Sequence, residues 1–333
     1  MTAKFAFVIS VDELSPLCLP CYGHRGHYTP ELDRLASRGR VYHEHHARSL
    51  ELAQTWAEWH MGHLGPIPRE LPTRSLGESW RELGVAADVR ETRLDEIPVY
   101  PPLPTEGPYL SWLLVRREGV SDESLLDWLE QYLAGQRAQI EHLNRRSGTG
   151  RPEVLWILTS ARGCIPEWND PAPSLLQSVV ASSLSGQLWT PLILAGGPRT
   201  PEYGSRHVNL STSLDLHVTL REWFGLPEIT ATGTEACSLL TEGEPPERQL
   251  LLMAGELVGW RSAEDLLVVS QSAFAVPPES QPLQPRLYYK PEDRFDVNDM
   301  SGNNQQKTAI RWEQLQSAMV RHRILRSGQN APR

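Results

Sequence analysis

The segment Phe5-Ala6-Phe7-Val8-Ile9-Ser10-Val11 is apolar at every position but one. A strand with one wet face alternates apolar and polar side chains, so a continuous run of this length must be covered on both faces. That is the condition of an inner strand in a parallel sheet, and it calls for helices above and below. Val154-Leu155-Trp156-Ile157-Leu158-Thr159 and Pro191–Ala195 read the same way, Tyr109–Val115 is a further strand, and Val85–Val89 is a short one. Helix signals fall between them. Thr29-Pro30-Glu31 offers an N-cap, a proline at the first helical position and an acid in the first turn. Leu32, Leu35 and Ala36 then share a face, and Gly39 marks the stop. Leu76–Leu83, Ser121 to about Asn144, and Ser213–Phe224 are further helices.

This alternation predicts an α/β domain over residues 1–244, a doubly wound and mostly parallel sheet. The pattern changes after a polar, proline-bearing link at Thr241–Arg248. Leu250–Ala254, Glu256–Arg261, Leu266–Ser270 and Leu287–Lys290 read as short antiparallel strands, followed by a helix from about Thr308 to Met319. Residues 245–333 are therefore expected to form a smaller C-terminal antiparallel α+β subdomain, with a loop at Pro277–Pro285 and a frayed tail at Ser327–Arg333.

Composition narrows the function. No apolar stretch approaches the ~20 residues of a membrane-spanning helix. A net charge of −9 without a basic stripe argues against a nucleic-acid partner. Four cysteines are too few for a disulfide scaffold, and Met1-Thr2-Ala3-Lys4 leads straight into the first strand without a small-residue cleavage site. A cytoplasmic location is expected. Lys4, Lys290 and Lys307 are the only lysines, so no lysine chemistry is available between residues 5 and 289.

The order of elements and their local motifs resembles the sulfatase family of the alkaline-phosphatase-like superfamily. Val8-Ile9-Ser10-Val11-Asp12-Glu13-Leu14 is similar to the family's opening strand, which ends in two metal-binding acids. Cys21-Tyr22-Gly23 and Thr29-Pro30-Glu31-Leu32-Asp33-Arg34-Leu35-Ala36-Ser37-Arg38-Gly39 resemble its next two motifs. Leu158-Thr159-Ser160-Ala161-Arg162-Gly163 follows the frame of Phe-Thr-Ser-Asp-His-Gly. Thr190-Pro191-Leu192-Ile193-Leu194, Leu214–Leu220, and Leu287-Tyr288-Tyr289 with Asp296–Met300 continue the likeness in order, so that it runs from Phe5 to about Met319.

The departures fall on the chemistry. Counting back ten residues from Gly62 puts Leu52 where the resemblance implies a Cys or Ser nucleophile, and leucine has no lone pair to offer. Ala161 and Arg162 stand where it implies an acid and an imidazole for a calcium or magnesium ion, which requires several oxygen ligands. Trp189 replaces an arginine, the expected active-site lysines are missing, and the loop that should carry a histidine reads Arg116-Arg117-Glu118-Gly119. Asp12, Glu13, Ala161 and Arg162 then mark a vestigial metal pocket, with no catalytic residue, metal or other cofactor expected. Asp12 and Glu13 read either as a residual metal site or, more economically, as acids held by arginine. Arg162 is expected within hydrogen-bonding distance of one of them, in a semi-buried pair worth about 3 kcal/mol.

Seven of the eleven histidines (His24, His27, His43, His45, His46, His60 and His63) lie in the segment 24–63. They could build a replacement metal site. On a strand over 43–46, however, His43 and His45 share one face and His46 takes the other, which favours local packing. Cys18-Leu19-Pro20-Cys21 is half of a zinc site at most. Trp56, Trp59, Trp112, Trp156 and Trp189 are placed by the family order near the strand ends that border the cleft, to line an apolar ligand site or to fill it. The expected function is that of a sulfatase-fold pseudoenzyme with a ligand- or partner-binding role, alone, as a homo-oligomer, or beside an active homologue. The alternative is a divergent sulfuric- or phosphoric-ester hydrolase built on Asp12, Glu13 and a rearranged metal site.

Overall fold

The run from Lys4 to Glu13 forms strand β1, an inner strand of a seven-stranded sheet. The computed structural model describes residues 3–62, 73–146, 151–165, 174–196, 204–227, 236–240, 247–274 and 284–327. After β1 come α1 (Pro30–Ser37), β2 (Gly39–Tyr42), β3 (His45–His46), α2 (Leu52–Met61), α3 (Thr73–Glu82), β4 (Ala86–Arg93) and β5 (Tyr109–Arg116). Next are α4 (Asp122–Arg146), β6 (Glu153–Arg162), α5 (Ser174–Ser182), α6 (Leu184–Leu188), β7 (Leu192–Gly196), β8 (Ser205–His207), β9 (Ser211–Thr212) and α7 (Leu214–Phe224). The chain continues through β10 (Leu250–Ala254), β11 (Leu257–Arg261), β12 (Asp265–Ser270), β13 (Arg286–Tyr289) and α8 (Gln305–Ser327).

The large sheet has the order β4-β5-β1-β6-β7-β2-β8. β1 is parallel to both neighbours, β5 and β6, and only β7 runs against the strands beside it. Alternation along β1 feeds two cores. Ala6 and Val8 pack with Trp56 and Trp59 of α2 and Leu216 and Leu220 of α7. Ile9 and Val11 pack with Leu32 and Leu35 of α1 and Leu125 and Leu129 of α4. Each of these fully buried aliphatic side chains contributes about 1.5–3 kcal/mol. Coverage on both faces is what the continuous apolar run demands.

β10 to β13 form a four-stranded antiparallel sheet. Its Leu251, Val258 and Leu267 meet Leu315 and Met319 of α8, while Leu250, Leu252 and Leu266 meet Leu184 and Leu188 of α6. No helix among the described residues is long and apolar enough to cross a membrane. The boundary expected at residue 244, His63, Gly197-Pro198 and the tail beyond Ser327 lie outside the described residues.

Two local expectations change. Thr29 makes no side-chain cap on α1. Glu130, from α4, does so instead, accepting the backbone N–H groups of Glu31 at 2.7 Å and Leu32 at 2.9 Å. A carboxylate supplied from the opposite helix binds two free amides at once, which a threonine hydroxyl cannot do. The expected strand over 43–46 is broken as well. β2 ends at Tyr42, a turn covers His43 and Glu44, and β3 pairs separately with β9.

Candidate functional site

The register of β1 on β6 sets Glu13 beside Arg162 at the carboxyl ends of both strands. Their side chains form an ion pair, and the Arg162 guanidinium also donates to the Leu50 carbonyl at 3.3 Å. The pair is 37% and 32% exposed, so it is more open to water than the semi-buried pair expected from sequence. Asp12 is only 7% exposed and makes a different set of bonds. Its Oδ1 accepts the backbone N–H of Glu13 at 2.9 Å and that of Arg117 at 3.0 Å.

Alternation explains the split. Ala161 shares the Asp12 face of the sheet and is buried among the Trp56, Trp59 and Trp112 rings, and its carbonyl accepts the Thr55 hydroxyl at 3.1 Å. Arg162 falls on the Glu13 face. The four residues expected to line one pocket are therefore two couples on opposite faces. Leu52 is the first residue of α2, half-buried against the core that contains these tryptophans. Gly62 ends α2 at φ 64°, where a Cβ would come within 2.6 Å of the His217 ring.

Arg117, in the loop after β5 that was expected to carry a histidine, takes a structural role that the sequence did not show. Its guanidinium is buried, 2.8 Å from Asp122 and 3.5 Å from the Cys164 Sγ, and it donates to the Val120 carbonyl at 2.8 Å. Burial pushes the Cys164 thiol up to about 12 and raises Cys18 and Cys21 too, so none of these sulfurs supplies a thiolate near neutral pH. All four cysteines are free.

The histidines disperse. His24 stacks on His27 at 5.3 Å, and His43 lies 3.0 Å from the Arg206 guanidinium. His45 is buried, 2.9 Å from the Ser211 hydroxyl, and burial with its cationic neighbours lowers it to about 3. His46 meets Glu44 at 3.3 Å, and Arg261 reaches the same carboxylate at 2.8 Å. Burial alone would raise Glu44, but the His46 hydrogen bond and Arg261 hold it down to about 2. Beside this cluster Lys290 pairs with Asp296 at 2.5 Å, and Arg294 lies 4.3 Å over the Trp189 ring. The side chain of His60 lies outside the described residues. Among the described residues no three His, Cys, Asp or Glu side chains are grouped to hold a metal.

The sequence matches no family model and no curated protein. Solved structures do match it. A putative sulfatase from Bacteroides thetaiotaomicron superposes with a TM-score of 0.63 at 12% identity, covering 98% of this chain and 94% of that one. A 2-O GAG sulfatase gives 0.62 at 12% identity over 98% and 94%. The phosphonate monoester hydrolase of Agrobacterium radiobacter gives 0.60 at 13% over 96% of each chain. This is the sulfatase, alkaline-phosphatase-like fold.

The residues that this sulfatase fold brings to its strand ends do not suit the divalent cation that the fold implies. Glu13 is committed to Arg162, the Asp12 Oδ1 to two backbone amides, Ala161 offers no side-chain donor, and Arg162 brings a positive charge. A hard cation needs six or more oxygen ligands and tolerates no guanidinium among them. The tryptophans act mainly as filling. Trp56, Trp59 and Trp112 are buried, with the Trp59 ring against each of the other two, and Trp189 is buried against Tyr22 and Phe295. Trp156 does not border the expected cleft: it lies near the start of β6, at the other end of the sheet from Arg162.

Proposed function

We propose that this sulfatase-fold chain is a pseudoenzyme: it hydrolyses neither sulfate nor phosphate esters and serves instead as a cytoplasmic binding protein. The observation that carries the reading is the Arg162–Glu13 ion pair beside the buried Asp12 carboxylate, whose Oδ1 is held by two backbone amides. Ester hydrolysis in a site of this kind requires a nucleophile and a group that stabilises the developing charge. Leu52 supplies no nucleophile, and the buried Arg117 and partly open Arg162 are already neutralised by Asp122 and Glu13. Residues 1–244 and 245–333 are proposed to act as one body around the shared Leu184, Leu188 and Leu252 packing.

The test is turnover of 4-nitrophenyl sulfate and 4-nitrophenyl phosphate by purified protein with calcium or magnesium present. The expected rate equals that of the buffer. Turnover that disappears in Asp12→Ala would favour the divergent-hydrolase reading and remove this one.

A further inference from the structure

At the opposite end of the large sheet, about six residues or roughly 20 Å along β6 from Arg162, lies a cavity of about 200 Å³. It opens between α1, α4 and the β6–β7 edge. Leu35, Leu133, Val154 and Trp156 give it an apolar wall, and Arg34 and Arg38 lie at its rim. The Trp156 ring is held by stacking on Phe7 at 4.8 Å, so that wall is fixed before any ligand arrives. Gly196, at one end of the lining, lets β7 approach β6 closely: its φ is 92°, and a Cβ there would come within 2.1 Å of the Val154 carbonyl.

The charges at the rim are not equivalent. Glu31 binds Arg34 at 2.7 Å and Arg137 at 2.7 Å, so the acid is fully engaged and Arg34 is occupied by it. Arg38 is exposed, and its guanidinium makes no hydrogen bond or ion pair among the described residues. An apolar cavity with one unengaged guanidinium at its mouth matches a ligand with a ring or branched hydrocarbon body and a single anionic head. A cavity of about 150 Å³ suffices for benzene, so this one takes a single aromatic ring with a short acid arm.

We propose that this cavity binds a small aromatic carboxylate, with its ring against Trp156 and its carboxylate on Arg38. The site is independent of the vestigial pocket, so its occupancy says nothing about ester hydrolysis. The test is ¹⁹F NMR titration of 4-fluorophenylacetate, with 4-fluorophenylacetamide as the neutral control. The acid is expected to bind with a Kd of about 0.1–1 mM. The amide, and the acid on Arg38→Ala, are each expected to bind roughly fivefold more weakly, since both remove the charge-assisted contact. Val154→Phe, which fills the cavity, should abolish binding while urea denaturation shows an intact fold. No binding of the acid up to about 5 mM, or binding that the amide or Arg38→Ala shares undiminished, overturns the proposal.

Discussion

Replacing Arg162 with alanine removes the guanidinium that joins Glu13 to the Leu50 carbonyl. Both members of the ion pair are about a third exposed, at 32% and 37%. Water screens such a pair, which leaves it worth about 0.5–1 kcal/mol. The 3.3 Å bond to the Leu50 carbonyl adds at most about 1 kcal/mol. The expected loss is therefore about 1–2 kcal/mol, well short of the ~3–5 kcal/mol for opening a buried pair. Asp12→Ala should cost more, about 2–3 kcal/mol, because two amide donors at a 7% exposed site lose their acceptor. Urea denaturation at pH 7 in 0.05 and 0.5 M salt separates the two. The Arg162→Ala loss should shrink with salt and the Asp12→Ala loss should not. A salt-independent Arg162→Ala loss of 3 kcal/mol or more would refute the view that solvent screens the pair.

Other outcomes follow from the same geometry. Leu52→Cys should leave ester hydrolysis at background in a 4-nitrophenyl sulfate assay, because a nucleophile acts only within a complete site. Glu130→Gln keeps the shape but removes the charge from the α1 cap, and should cost about 1 kcal/mol by urea denaturation. Trp59→Ala, at a fully buried ring between Trp56 and Trp112, should cost about 3–5 kcal/mol. The buried His45, lowered to about 3 by burial and neighbouring cations, stays neutral in the fold while the unfolded chain protonates it near 6.5. The unfolded state then binds more protons, so stability should fall as pH drops below about 6.5, by about 2–3 kcal/mol at pH 4.5. Glu44 has the opposite relation between its two states: its stabilisation is full above about 4.5 and is lost only as pH falls towards 2. His45→Asn should flatten the loss between pH 6.5 and 4.5, and an unchanged slope would exclude His45 as its source.

β1, β5, β6 and β7 were legible in the sequence because burial on both faces leaves a continuous apolar run. The antiparallel strands β10 to β13 and helices α4, α7 and α8 were legible from their periodicity. α2 was not, because Gln54, Thr55 and Glu58 are buried polar residues on its inner side and hide the apolar stripe. Gln54 donates to the Glu58 carboxylate one turn away, and Ser213 donates to it across 155 residues, a pairing that no local pattern announces. The position of Arg162 beside an acid was readable, since strand order and register put β6 next to β1. The commitment of Asp12 to backbone amides was not, because it depends on the loop path after β5 that brings the Arg117 N–H within reach. The cap from Glu130 and the Glu44–Arg261 pair were hidden for the same reason: each joins segments far apart in the chain.

If protein groups have replaced a cation at the carboxyl ends of β1 and β6, calcium should find no site there. Calorimetric titration of the purified, chelator-treated protein with calcium measures this directly. No saturable heat is expected up to several millimolar. Saturable binding of one equivalent, lost in Glu13→Gln, would contradict it.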